Sequence, residues 1–211
     1  MSRKPPVPET NFFILNDRYA VLSDFLPGWE GRSMELDLGC GNGDFAVELA
    51  SRHPDRLVFA ADVMLGRLRK VVRKAGTPDG GMLPNLVFLR VEARHLVSII
   101  LPDSSLDRIH ILCPDPWPKY KHKGHRLLSS DFMAQIFRVL KPGGVFHFAT
   151  DDKPYLDAVV RNVAGSGLFE PAGPEALADV ADIRTEFETL WLSQGREVVH
   201  IPWRKKYSFS A

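Results

Sequence analysis

The stretch Glu35-Leu36-Asp37-Leu38-Gly39-Cys40-Gly41-Asn42-Gly43-Asp44 limits the possible folds more than any other part of the chain. The apolar run over residues 34–38 reads as a short buried strand, and a helical pattern begins at Asp44. Between them glycine stands at every second position. Glycine is needed where φ is positive or where the backbone must pass close to a ligand. A strand, a glycine turn and a helix N-terminus in succession make a cradle at the carboxyl edge of a parallel sheet. Strands and helices should therefore alternate along the rest of the chain.

They do. Residues 57–61, 86–91, 106–112 and 145–149 are apolar runs of strand length. Helical patterns cover 65–74, 130–140 and 154–164, with a stop signal at Lys141-Pro142-Gly143-Gly144. Residues 168–170 and 198–203 predict two more strands, 171–184 a loop or short helix, and 185–194 a helix. Pro5, Pro6 and Pro8 make the first 30 residues an irregular arm, whose apolar patch at 11–15 should lie against the domain. The expected fold is α/β and Rossmann-like, a mostly parallel sheet of about seven strands with helices on both faces. An arm over 1–30 would precede one domain over 31–211.

A chain of 211 residues with 45% hydrophobic and 25% charged content has ample core for this. No apolar run approaches the ~18 residues of a membrane span. The start Met1-Ser2-Arg3-Lys4 lacks the apolar stretch of a secretory signal, and Cys40 and Cys113 read as reduced thiols, so a cytoplasmic location is expected. The net charge of +1 does not advertise a nucleic-acid binder, but basic residues cluster at 67–74, 119–126 and 204–206.

Counting from Gly39, a dinucleotide fingerprint would require glycine where Asp44 stands. The pattern here, acid-x-G-x-G-x-G with Asp37 as the acid, resembles the first motif of S-adenosylmethionine-dependent methyltransferases. Asp62, closing the second strand, is suited to accept from both ribose hydroxyls, and Glu92, next to Ala93 at the end of the third, to meet an adenine amino group. A nicotinamide oxidoreductase would use a similar trio but fails at Asp44. The fourth strand exits through Cys113-Pro114-Asp115-Pro116-Trp117-Pro118-Lys119, a proline-stiffened turn that presents an acid and an aromatic. The ribbon after it, with Lys121, His122, Lys123, His125 and Arg126, suits a polyanionic substrate.

With these segments the chain resembles the bacterial-type tRNA (guanine-N7)-methyltransferases. Asp115-Pro116-Trp117-Pro118-Lys119 with His122 and Arg126 matches that family's signature. Thr150-Asp151 followed by Tyr155, and Thr185-Glu186-Phe187-Glu188 with Gly195, match its later motifs. The resemblance implies S-adenosylmethionine as cofactor, held by Asp37, Gly39, Gly41, Gly43, Asp62, Glu92, Ala93 and Asp115. It further implies a tRNA guanine, in the variable loop, held by Lys119, Asp151, Thr185, Glu186, Phe187 and Glu188, with Asp115 as the catalytic group. No metal and no membrane are expected, and the chain should act as a monomer or homodimer. Asp37 stands where the family usually has Glu, Glu92 where it has Asp, and Gly124-His125-Arg126 replaces a Lys-Arg-Arg run. Another RNA or small-molecule acceptor, and a non-catalytic cofactor-binding RNA partner, remain as alternatives. Trp117 and Tyr155 fit either base stacking or core packing.

Guanine N7 has an in-plane lone pair and no proton to remove. Methyl transfer to it needs alignment and a home for the charge that moves to the purine, not a general base.

Overall fold

The computed structural model describes residues 11–15, 21–25, 31–77, 80–116 and 127–207. Trp117, Lys119 and the rest of the basic ribbon to Arg126 lie outside the described residues. The strands are β1 (Phe12–Ile14), β2 (Ser33–Leu38), β3 (Arg56–Asp62), β4 (Leu86–Arg90), β5 (Leu106–Leu112), β6 (Leu140–Thr150), β7 (Phe169–Pro171) and β8 (Val199–Lys205). The α-helices are α1 (Leu22–Phe25), α2 (Asp44–Arg52), α3 (Leu65–Lys74), α4 (Ala93–His95), α5 (Ser130–Val139), α6 (Lys153–Ser166) and α7 (Glu186–Ser193). A π-helical turn, Leu96–Ile100, extends α4.

The strands form one sheet in the order β1-β4-β3-β2-β5-β6-β8-β7. β1 to β6 run parallel, while β8 is antiparallel to β6 and to β7. Central strands sandwiched between helix layers must be apolar on both faces, and β3 reads Arg-Leu-Val-Phe-Ala-Ala-Asp with every residue after Arg56 buried. Two apolar clusters result, one on each face. Leu36, Phe59, Ile109 and Phe146 belong to one, and Val58, Ala60, Phe45 and Val71 to the other.

The order reverses between β2 and β5, which opens a crevice above their carboxyl ends. Five chain exits meet along that edge: Gly39 after β2, Val63 after β3, Val91 after β4, Cys113 after β5 and Asp151 after β6.

Two departures from the sequence expectations are local. Residues expected to be irregular supply β1, an edge strand whose Phe12 pairs with Phe88 of β4, and Leu22 of α1 is fully buried. The proline-rich start does not govern these residues; the exposed edge of β4 does. The stop signal at 141–144 ends α5 as expected, yet lies inside β6. β5 pairs Leu106 with Leu140 and then Arg108 with Val145, so Pro142, Gly143 and Gly144 are absorbed in a bulge where Gly143 has φ +74°.

Candidate active site

The glycine loop is tied from beneath. Gly39 and Cys40 N–H groups donate to the Ala61 carbonyl at 2.8 and 3.0 Å, and the Gly41 N–H donates to Asp62 Oδ2 at 3.2 Å. Gly43 has φ +81° and caps α2. A Cβ there would sit 2.4 Å from Val71 Cγ1, so the loop and α3 approach too closely for any side chain.

Asp62 accepts from Met64 N–H at 2.7 Å through its other oxygen, and Arg67 Nη1 lies 3.5 Å away. Glu92 caps α4 by accepting from His95 N–H at 2.8 Å. Asp37 is buried on β2, and its Oδ2 has no hydrogen-bond partner among the described residues. Burial, helped by the neighbouring charge of Asp62, pushes the Asp37 carboxyl up to about 8.

β5 leaves the sheet through Cys113, whose φ of +48° is a strained geometry for a residue with a side chain. This bend carries Pro114, Asp115 and Pro116 over the strand ends. Burial and the charge of Glu188 raise the Cys113 thiol to about 11, so it stays protonated.

A cleft of about 730 Å³ lies above the carboxyl edge. Its described lining holds five carboxylates, Asp62, Glu92, Asp115, Asp151 and Asp152, against two guanidiniums, Arg67 and Arg196. Apolar walls come from Leu38, Val91, Leu127, Phe187 and Trp191. Asp151 is ion-paired with Arg196, whose guanidinium also lies 4.2 Å above the Trp191 ring. A recess of about 20 Å³ adjoins it under the glycine loop, between Asp37 and the Thr185–Phe187 turn.

The family model described as "Putative methyltransferase" matches residues 32–201. The chain is 31% identical over 197 residues to the tRNA (guanine-N(7)-)-methyltransferase of Syntrophotalea carbinolica, covering 92% of this chain and 84% of that protein. With the same-named protein of Geobacter metallireducens it shares 35% over 198 residues, 92% of each. This chain belongs to the tRNA (guanine-N7)-methyltransferase family. Solved structures agree on the fold. The 16S rRNA methyltransferase KamB superposes with a TM-score of 0.59 at 22% identity, covering 83% of this chain and 88% of that one. The aminoglycoside resistance methyltransferase NpmB1 also gives 0.59, at 20% identity over 89% and 95%.

Of the residues that the family resemblance singles out, Gly39, Asp62, Glu92, Ala93, Asp115, Asp151 and Phe187 line the main cleft. Asp37, Gly41, Gly43, Thr185 and Glu186 line the adjoining recess. Glu186 reaches across to accept from the Asn42 side chain, tying α7 to the glycine loop. Thr185 caps α7 by accepting from Glu188 N–H at 3.0 Å. Glu188 lines neither space. It is 1% exposed and bonded to Arg184 and to His200. Tyr155 is core: it is buried edge-on against Phe148, with ring centroids 5.8 Å apart. Arg67, Trp191 and Arg196 belong to the lining without being marked as site residues by any motif in the sequence. Gly195, at φ +73°, ends the α7 segment and turns Arg196 back over Trp191, so a glycine just past a helical stretch is the available signal.

Proposed function

We propose that this chain transfers the methyl group of S-adenosylmethionine to N7 of a guanine in tRNA. The observation that carries the reading is the charge of the cleft. Five carboxylates against two guanidiniums make a hollow that repels phosphate and favours cations. A sulfonium cofactor with an ammonium tail fits that field, as does a purine that becomes cationic on methylation.

The residues present fit the cofactor. Asp37 offers a buried carboxylate oxygen that an ammonium group would satisfy. Gly39, Gly41 and Gly43 supply a side-chain-free floor, and Asp62, Glu92, Ala93 and Asp115 follow along the strand ends. When bound, S-adenosylmethionine supplies an electrophilic methyl group on sulfur. Asp115 and Asp151 face the same cleft and favour positive charge as it develops on the purine. Neither is asked to remove a proton. Phe187, Trp191 and the Arg196-anchored Asp151 form the wall for the guanine, while Thr185 and Glu186 set the position of α7. The RNA backbone stays on the rim, near Arg67 and the exposed Lys70 and Arg73 of α3; the family resemblance adds Lys119 to the groups that hold the RNA. The chain acts in the cytoplasm as a monomer or homodimer.

The test is methyl transfer from labelled S-adenosylmethionine to unmodified tRNA, followed by digestion to nucleosides. Label in 7-methylguanosine is the expected result. Label in another nucleoside, or only in a non-tRNA acceptor, would replace the substrate assignment; cofactor binding without turnover on any acceptor would replace the enzyme assignment.

A further inference from the structure

Beside the cleft the described residues hold a line of polar groups that the proposed reaction does not use. His110 on β5, His147 on β6 and His200 on β8 lie on neighbouring strands. Their rings are joined end to end: His110 Nδ1 is 2.9 Å from His147 Nδ1, and His147 Nε2 is 2.9 Å from His200 Nδ1. A carboxylate closes each end. Glu35 Oε2 is 2.9 Å from His110 Nε2, and Glu188 Oε1 is 3.0 Å from His200 Nε2. Glu35, His110, His147 and Glu188 are each at most 2% exposed, so every one of these groups depends on its neighbours for hydrogen bonds.

The four links need four hydrogens. Neutral imidazole carries one N–H, so three neutral rings supply three, and ionised carboxylates supply none. The complete chain therefore contains one imidazolium. Moving that charge from ring to ring only reverses the links in between. Both ends favour ionised acids. Burial opposes ionisation of Glu35, but His110, Arg108 and Arg56 together hold it down to about 2. Burial likewise opposes ionisation of Glu188, and His200 and Arg184 outweigh it. His110 and His147 are both pushed down, chiefly by burial.

Among the described residues, the other charged groups around the line are few. Arg56 and Arg108 face Glu35 and share Asp179, and Arg108 also acts on His147. Arg184 faces Glu188, with the Cys113 thiol nearby, and Asp37 pairs in register with His110 across β2 and β5.

We propose that Glu35, His110, His147, His200 and Glu188 share one imidazolium proton and so clamp the first turn of α7, which makes the three histidines positioning residues for the guanine side of the cleft. The clamp acts on α7 because Glu188 lies in that turn, between the cleft-lining Phe187 and Trp191. Its consequence for guanine rests on the substrate reading above. Loss of the proton leaves three hydrogens for four links, so one contact loses its hydrogen and the line that holds Glu188 is no longer closed throughout. His200, at 25% exposed, is the ring that water reaches, and it is the one that touches Glu188.

The clamp is read on the full chain without RNA. Nitrogen-15 spectra of labelled histidine at pH 7 should show one imidazolium and two neutral rings among His110, His147 and His200. As pH rises, loss of that imidazolium should accompany faster amide exchange in the first turn of α7. Three neutral rings at pH 7, more than one imidazolium, or α7 exchange unmoved by the proton's loss would each overturn the proposal. His147→Leu removes both middle links; α7 exchange should quicken, and KM for tRNA should rise about tenfold with kcat within about twofold, the scale of one lost charge-assisted bond. His147→Gln, whose amide donates to one neighbour and accepts from the other, should restore both. An unchanged KM and unchanged exchange in the Leu variant contradict the clamp. If that variant does not fold, the wild-type spectra and exchange decide alone. If the wild type methylates no tRNA, the substrate reading fails, while the spectra and exchange still judge the clamp.

Discussion

Asp37 is the residue whose replacement should be most informative. Its carboxyl is raised from 3.8 to about 8 by burial and by Asp62. The folded chain therefore keeps this proton over a range in which the unfolded chain has lost it. The sign follows: a raised folded-state value contributes stability that is full below about pH 4 and is lost as pH rises toward about 8. That difference corresponds to at most about 6 kcal/mol, and relaxation around a buried charge should reduce it to roughly 2–5 kcal/mol. Asp37→Asn is neutral at every pH and nearly the same shape. In urea titrations without cofactor, wild type and variant should lie within about 1 kcal/mol of each other near pH 4.5. Near pH 8.5 the variant should be the more stable by that amount. Adding S-adenosylmethionine should reverse the order, because only the carboxylate gains an ammonium partner. Stability curves that stay parallel from pH 4.5 to 8.5 would refute the reasoning that Asp37 is an uncompensated buried acid.

Asp115→Ala should lower kcat at least tenfold and weaken the cofactor Kd by clearly less than that, since the residue lines the cleft and is assigned both to the cofactor and to the charge that develops on the purine; single-turnover kinetics and calorimetry separate the two, and an equal loss in both would place Asp115 on the cofactor alone. Arg196→Ala unpins Asp151 and uncovers Trp191, so KM for tRNA should rise about fivefold to tenfold with cofactor affinity unchanged. A KM unchanged in steady-state assays would remove Arg196 from the site. Gly43→Ala forces a side chain to φ +81° and into Val71, for a loss of about 2–3 kcal/mol in denaturant titration and a weaker hold on cofactor. A loss below about 0.5 kcal/mol would show that the loop and α3 can separate freely.

The sheet was readable because its signals are local. Met34 to Leu38, the alternating glycines and Asp44 are contiguous, and Asp62 and Glu92 each follow an apolar run of strand length. The same holds for α3, whose bounds at Leu65 and Lys74 are those the periodicity predicts. What stayed hidden depends on pairing between distant segments. β1 is three residues long and owes its conformation to the edge of β4, 76 residues further along the chain. Nothing in the spacing of His110, His147 and His200 says that β5, β6 and β8 lie side by side, because β8 enters the sheet between β6 and β7. Glu188 carries a motif position suited to a ligand, yet α7 begins one residue after its Thr185 cap and buries this side chain on His200. Tyr155 follows the same rule: the N-terminal turn of α6, capped by Asp152, points it into the core.

In the proposed reading one sheet edge brings a methyl donor and a purine nitrogen into the same acidic hollow. A crystal structure with S-adenosylhomocysteine bound would decide it. The sulfur should lie in the main cleft between the Gly39–Gly43 loop and Asp115, with the amino group on Asp37 and open space toward Asp151 and Phe187. A sulfur found away from Asp115, or an amino group that leaves Asp37 without a partner, would contradict it.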